Sequence, residues 1–323
     1  YRCSYCWPYA RSDRKDHRPT ELCLLTVDEI KRQARLNGFN SFHFSLSGGE
    51  PTFHPGYLDI LKHLADDVAN TNYTSIHMTS NCSRKMNWFE TYVEYAKAFH
   101  RASITASLHT EHVNTPQKMQ DFADKLIFCQ EHDVQVTINM VMVPDWFDRD
   151  WDNALFFHEQ GINVTLKPQS DPTASFVVDG YTEDQLAKLY NGMPQRAFTE
   201  SKRKWADRPR PNFKALPQME TGEKIPPHFQ VEMEDSAGNK YFMDQAERFN
   251  AFNFNKFEGW KCNAGYQGII IREPDGSIKR SYSCHDEPLG NIETGFKLFD
   301  KPMPCITKSC VSSADSKIPK VKQ

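Results

Sequence analysis

The chain lacks any apolar run approaching 18 residues, and its mean hydropathy is −0.67. That excludes a membrane-spanning helix. It also lacks an excess of one charge. Its 39 basic and 42 acidic side chains leave a formal charge of −3, without the basic footprint of a nucleic-acid binder. No internal repeat and no targeting segment is visible. The expectations are no nucleic acid, no membrane and a cytoplasmic location. At 323 residues, 39% of them hydrophobic and 25% charged, the composition is that of an ordinary globular protein, long enough for one large domain or two modest ones.

What the sequence does have is cysteine: Cys3, Cys6, Cys23, Cys82, Cys129, Cys262, Cys284, Cys305 and Cys310. An odd number containing two tight pairs reads as metal ligation ahead of disulfides. Cys82 and Cys129 stand alone and read as core, because a thiol packs as a small hydrophobe.

From Cys6 to about residue 170, apolar strands alternate with amphipathic helices. Thr26, with Glu29 three residues on, reads as the N-cap of the first helix, which stops at Asn37-Gly38. Strands are predicted over residues 41–46, 75–79, 103–108, 135–141 and 164–167. Helices are predicted over residues 56–68, 88–99, 117–132 and 151–160. Such units imply a parallel sheet with helical crossovers, either doubly wound or an open or closed barrel. In each, ligands sit at the carboxyl ends of the strands. Residues 171–257 are proline-rich and read as a connector, with a helix over 182–191, a hairpin over 229–234 and 240–244, and a solvated basic run at 202–204. Residues 258–323 are loop-rich. A segment this small buries little core, so bound metal would supply its order.

Three motifs carry chemistry. The first is Tyr1-Arg-Cys-Ser-Tyr-Cys6. Alone, Cys-x-x-Cys is half a zinc site or a redox pair. The redox reading needs a preceding strand and a following helix; neither is visible, and Trp7-Pro8 follows instead. Zinc held by Cys3, Cys6 and a tail pair stays open. The second is Ser47-Gly-Gly-Glu-Pro-Thr52, directly after a strand. It is either a plain turn or a site in which Gly48 and Gly49 bare the backbone, Glu50 meets an ammonium and Pro51 stiffens the exit. The third is the tail: Cys262-Asn-Ala-Gly265, Ile269-Ile-Ile271, Asp275-Gly276, Cys284, Leu289-Gly-Asn-Ile292, Cys305 and Cys310. Asp275-Gly276 is a hairpin turn, which brings Cys262 and Cys284 to one end. A helix from Cys305 would set Cys305 and Cys310 about a turn apart. Four thiolates from hairpin and helix then fit one closed tetrahedral site.

Cys3-Ser-Tyr-Cys6 followed by Gly48-Gly-Glu-Pro51 resembles the radical S-adenosylmethionine (SAM) superfamily, whose signature is Cys-x3-Cys-x2-Cys. The first cysteine of that signature falls two positions before Tyr1. The resemblance implies a partial (β/α)6 TIM-like barrel and a [4Fe–4S] cluster held by Cys3, Cys6 and that upstream cysteine. SAM would chelate the open iron. One electron passed to its sulfonium gives a 5′-deoxyadenosyl radical, which removes a hydrogen atom from the substrate. By the same match Tyr5 lies near the adenine, while Gly48, Gly49 and Glu50, with Pro51 behind them, hold the methionine amino group. Ser80 and Asn81 contact SAM, and Ser107 and His109 meet the ribose or substrate. Asn139 and Lys167 lie on later strand ends. Glu50 and His109 are the catalytic candidates. For His109, Asn139 and Lys167 a satisfied polar residue at a barrel mouth is the open alternative.

The tail resembles the SPASM/twitch domains appended to such barrels. Its Cys262, Cys284, Cys305 and Cys310 suit the twitch form with one auxiliary [4Fe–4S] cluster, structural zinc being the alternative. A fully ligated cluster would take an electron from the substrate radical and make the enzyme an oxidoreductase. Epimerisation with a thiol donor is the other outcome, for which Cys23 and Cys82 are candidates besides core packing. The expected substrate is a small polar metabolite of sugar or aminocyclitol type, because the cluster loop comes first with no leader-binding domain ahead of it. The alternatives are a maturase of a ribosomally made peptide and a non-catalytic zinc or iron–sulfur protein. The expected electron donor is of flavodoxin or ferredoxin type.

Overall fold

The structure is a computed structural model that describes residues 3–5, 17–170, 177–193, 214–215, 231–234, 240–243, 256–272, 275–284, 288–310, 315 and 318–322. Cys6, the basic run at 202–204 and the predicted turn at 236–239 lie outside them. The chain divides into two units, Tyr1–Thr20 with Ser41–Asp207, and Glu21–Asn40 with Arg208–Gln323.

After helix α1 (Thr20–Leu36), the first unit runs β1 (Ser41–Leu46), α2 (Tyr57–Asp66), β2 (Tyr73–Ser80), α3 (Met86–Ala96), β3 (Arg101–Leu108), α4 (Pro116–Glu131), β4 (Gln135–Met142), α5 (Phe147–Glu159), β5 (Asn163–Pro168) and α6 (Glu183–Asn191). α6 starts where the sequence places it, through a capping box between Thr182 and Gln185. The five strands form one parallel sheet in the order β1-β2-β3-β4-β5. Spatial order follows chain order, so every crossover steps the same way. A doubly wound sheet would reverse at a switch point. The winding is that of a barrel wall, and the unit is an α/β TIM-like core with five strands among the described residues.

The two faces of this sheet differ. One buries Ala102, Ile104, Ala106 and Leu108 of β3 and Val136, Ile138, Met140 and Met142 of β4. The helices bury matching rows, including Leu61 and Leu64, Phe89 and Val93, Phe122 and Leu126, and Ala154 and Phe157, and α4 and α5 pack on β4 and β5. Each such Leu, Ile, Val, Phe or Met contributes about 1.5–3 kcal/mol. The other face is polar in registered rows. Ser45, His77, Ser103 and Gln135 form one row; Thr79, Thr105, Thr137 and Asn163 the next; Ser107, Asn139 and Thr165 the third. Nδ1 of His77 lies 2.8 Å from Oγ of Ser103, and Nδ1 of His43 lies 2.8 Å from Oγ of Ser75.

In the second unit α1 begins at Thr20, and the expected N-cap at Thr26 is corrected. Thr26 is buried within the helix, where its hydroxyl donates to the Leu22 carbonyl at 2.7 Å. A threonine satisfied on the carbonyl four residues back needs no helix end. The stop at Asn37-Gly38 stands: the Gly38 amide reaches the Arg35 carbonyl and the Phe39 amide the Ala34 carbonyl, a Schellman closure. Gln33 and Asn37 then bond the main chain at Phe296, Leu298 and Phe299. The strands β6 (Lys214–Ala215), β7 (Val231–Glu234) and β8 (Lys240–Met243) form a small sheet. It contains the predicted hairpin plus an unforeseen parallel strand. β9 (Lys261–Cys262) lies between β14 (Met303–Pro304) and β15 (Lys320–Val321). β10 (Ile270–Ile271), β11 (Ser277–Lys279), β12 (Pro288–Asn291) and β13 (Gly295–Phe296) form an antiparallel meander that begins with the predicted Asp275-Gly276 hairpin.

Candidate active site and a cysteine cluster

β1 ends at Leu46 and releases the chain into Ser47-Gly-Gly-Glu-Pro51. Gly48 takes φ +143, a conformation side chains rarely adopt, and a Cβ on either Gly48 or Gly49 would find nothing within 4 Å. The two glycines therefore border open space. Glu50 caps the short turn Pro51–Phe53. Its Oε1 accepts from the Thr52 amide at 3.2 Å, the Thr52 hydroxyl at 2.6 Å and the Ser80 hydroxyl at 2.8 Å, and its Oε2 from the Asn81 amide at 2.6 Å. Thr52, Ser80 and Asn81 are all buried. One carboxylate thus ties the loop after β1 to the end of β2, and the Arg84 guanidinium closes the corner on the Thr52 carbonyl.

Just beyond, Cys82 holds φ +51, which costs a non-glycine residue free energy. Its amide donates to Ser80 Oγ, and its carbonyl accepts from Lys125 Nζ at 3.1 Å. Burial pushes the Cys82 thiol up to about 12 and also raises Cys129, so both stay neutral in the core. Cys23 is half-buried on α1.

The cysteine loop lies at the end of β3. Cys3 is buried, and the Ser4 amide donates to both oxygens of Glu111 at 2.9 and 3.1 Å, with the Ser4 hydroxyl on the same carboxylate. The Tyr5 hydroxyl lies 2.8 Å from Nδ1 of His109, and the two rings stack at 6.0 Å. Burial lowers His109 to about 4, so it is a neutral imidazole at pH 7. Thr110, next in the loop, bonds the fully buried Asp150, which Arg149 pairs at 2.9 Å. Ligand atoms of Cys3, Glu111 and His112 lie within 4.8 Å of one another, the one such group among the described residues.

The predicted residues thus meet in two contact sets, Glu50 with Ser80 and Asn81, and Tyr5 with His109. Ser107 and Asn139 are registered neighbours on the polar face, and Lys167 stands opposite Val141. Both catalytic candidates are engaged, Glu50 by four donors and His109 by Tyr5. Sequence reasoning missed Thr52, Glu111 and the polar rows. The rows had a signal. Parallel strands buried on both faces read as continuous apolar runs, whereas Ser-Ile-Thr-Ala-Ser-Leu108 alternates.

In the tail, Cys262, Cys284, Cys305 and Cys310 are all buried, the first, third and fourth in one cluster with Phe257 and Ala264, against which Trp260 and Ile318 pack. The expected helix at Cys305 is corrected. Its residues form no helix, because Met303 and Pro304 pair with β9 and the Cys305 amide continues that pairing onto the Trp260 carbonyl at 2.7 Å. The Ala264 amide donates to Cys262 Sγ at 3.4 Å. Gly265 completes the motif because it needs φ +86, and a Cβ there would meet the Phe299 ring at 2.7 Å.

A thiol-bearing loop, a glycine-bordered opening and a polar face, all served by the carboxyl ends of one singly wound parallel sheet, define a cofactor-binding domain of the α/β-barrel class. Buried soft sulfur donors fit iron–sulfur ligation. Residues 1–158 match the family model described as Radical SAM superfamily. Members of that superfamily are enzymes that bind a [4Fe–4S] cluster and SAM and cleave SAM reductively. No curated protein matches the chain. No helix among the described residues is long and apolar enough to cross a membrane.

Gly49→Val tests the opening cleanly. Nothing stands where its Cβ would go, so melting should be unchanged while SAM affinity, read by calorimetry on reconstituted protein, falls at least about tenfold, the equivalent of roughly 1.4 kcal/mol. Unchanged affinity would remove Gly49 from the SAM site.

Proposed function

We propose that this protein is a radical SAM oxidoreductase acting on a small polar metabolite of sugar or aminocyclitol type, with a second [4Fe–4S] cluster in its tail. The observation that carries the substrate class is the face of serine, threonine, asparagine and histidine rows on β1 to β5, which offers hydroxyl, amide and imidazole partners in place of an apolar lining. Such a face suits a substrate covered in hydroxyl or amino groups, since a polar group buried without a partner is costly.

Cys3, Cys6 and a cysteine ahead of Tyr1 would hold the first cluster, and Cys262, Cys284, Cys305 and Cys310 the second. When bound, these groups and SAM supply one-electron cleavage of the sulfonium, hydrogen-atom removal and acceptance of the substrate's electron. The chain's own residues do the positioning. Glu111 seats the cysteine loop through Ser4. His109 orients Tyr5, which would flank the adenine. The peptide groups at Gly48 and Gly49 would receive the methionine amino group, and Glu50 keeps them in place through Thr52, Ser80 and Asn81. Ser107, Asn139 and Lys167 would contact SAM or substrate. A flavodoxin- or ferredoxin-type protein would deliver the electron.

For the tail, iron is favoured over zinc by the iron–sulfur domain that the family match gives to residues 1–158 ahead of it. The test is Cys310→Ala. SAM should still be cleaved to 5′-deoxyadenosine while product is lost and iron per chain falls by one cluster. Normal product from this variant would show that the tail plays no redox part. Turnover of a ribosomal peptide, with a polyol and aminocyclitol panel untouched, would reassign the substrate.

A further inference from the structure

Arg280 heads the fully buried side chains of the described residues by size, with 1% of its surface exposed. Its Nε donates to the Ala264 carbonyl at 3.3 Å and its Nη2 to the Pro304 carbonyl at 3.0 Å. The guanidinium lies 5.3 Å from the centre of the Phe299 ring. No carboxylate among the described residues pairs with it. Asp315, a buried carboxylate of the same unit, is instead taken by the amides of Tyr282 and Ser283 at 3.2 and 2.6 Å. Carbonyls and a ring solvate a cation without neutralising it, and a buried charge is strongly unfavourable unless an anion answers it.

The groups around Arg280 belong to the cysteine segments. Pro304 directly precedes Cys305, Ala264 follows closely on Cys262, and Cys284 stands one short step along the chain from Arg280 itself. A second cation, Lys320, has its Nζ on the carbonyls of Asp315 and Ile318 above the Phe257 ring.

We infer that Arg280 is the resident counter-charge of the tail site, its guanidinium answered only when Cys262, Cys284, Cys305 and Cys310 are thiolates on a bound metal. The inference rests on the proposed tail site, though not on which metal fills it. Four thiolates on a [4Fe–4S] core or on zinc leave the site anionic, and the guanidinium offsets part of that charge. As thiols they would leave Arg280 a bare buried cation. Arg280 therefore acts as a positioning residue that raises metal affinity and, on iron, favours the reduced state.

The experiment compares Arg280→Met and Arg280→Lys in a Cys3→Ala background, which removes the first site's iron. The tail metal is read by chelator competition and, when it is iron, by a redox titration followed by electron paramagnetic resonance. Arg280→Met should surrender its metal at least tenfold more readily. Its midpoint should fall by about 59 mV or more, a tenfold change in the reduced-to-oxidised ratio. Arg280→Lys, which keeps the charge without the fork, should retain most of both. A methionine variant with wild-type retention and potential overturns the inference. So does a lysine variant that fails as badly as methionine, because then the bonds to Ala264 and Pro304 matter and the charge does not. A parent chain that binds no metal through its tail overturns the tail site itself, and the inference with it.

Discussion

Cys3→Ala should abolish reductive SAM cleavage. Cys3 is a buried thiol on a loop fastened twice, by Ser4 to Glu111 and by Tyr5 to His109. Losing a residue that merely orients a ligand typically costs 10- to 100-fold, so losing a ligand should exceed roughly 100-fold. The loop contributes no strand or helix among the described residues, so melting of the barrel should be unchanged. The assay is 5′-deoxyadenosine released under a strong reductant, beside the iron content of the same sample. Cleavage persisting at a tenth of the parent rate would place the cluster elsewhere.

Glu50→Ala should be the most damaging change to the barrel that spares every cysteine. Its carboxylate serves the Thr52 amide and hydroxyl, the Ser80 hydroxyl and the Asn81 amide, on residues that are themselves buried. A stranded buried donor costs about 1–3 kcal/mol, so the total should reach at least about 3 kcal/mol. For the unit that holds Glu50, Tyr1–Thr20 with Ser41–Asp207, that lowers the melting midpoint by roughly 6–12 °C. The Gly48-Gly49 opening is the start of the same loop, so SAM affinity should fall as well. Glu50→Gln keeps an acceptor oxygen but turns a donor on its neighbours, and should lose less. An alanine variant that melts and binds SAM like the parent would refute the positioning role.

How much of this was legible beforehand depended on the range of the interaction. β1 is bounded by Ser41 and Leu46 as read from its alternation, and Asn37-Gly38 closes α1 with bonds to residues a few positions back. Thr182 caps α6, and Asp275-Gly276 turns the β10–β11 hairpin. Each is settled within one turn of chain. Thr26 misled because the same local pattern serves a helix interior when the hydroxyl bonds backwards. Cys305 misled because its backbone answers to β9, far away in sequence.

The candidate site divides along the same line. Its chemical inventory, from Cys3 and Tyr5 through Gly48, Gly49, Glu50 and His109 to the four tail cysteines, was present in residue type and spacing. So was the strand–helix alternation that brings functional groups to the carboxyl ends of the strands. Only the tertiary structure turned Glu50 onto Ser80 and Asn81, set Glu111 under Ser4, aligned serine and threonine across neighbouring strands and buried Arg280 beside the cysteines. Periodicity and capping act between residues a few positions apart and are written in the local text. Strand register, and the answering of a buried charge, depend on partners that the chain brings together only when it folds.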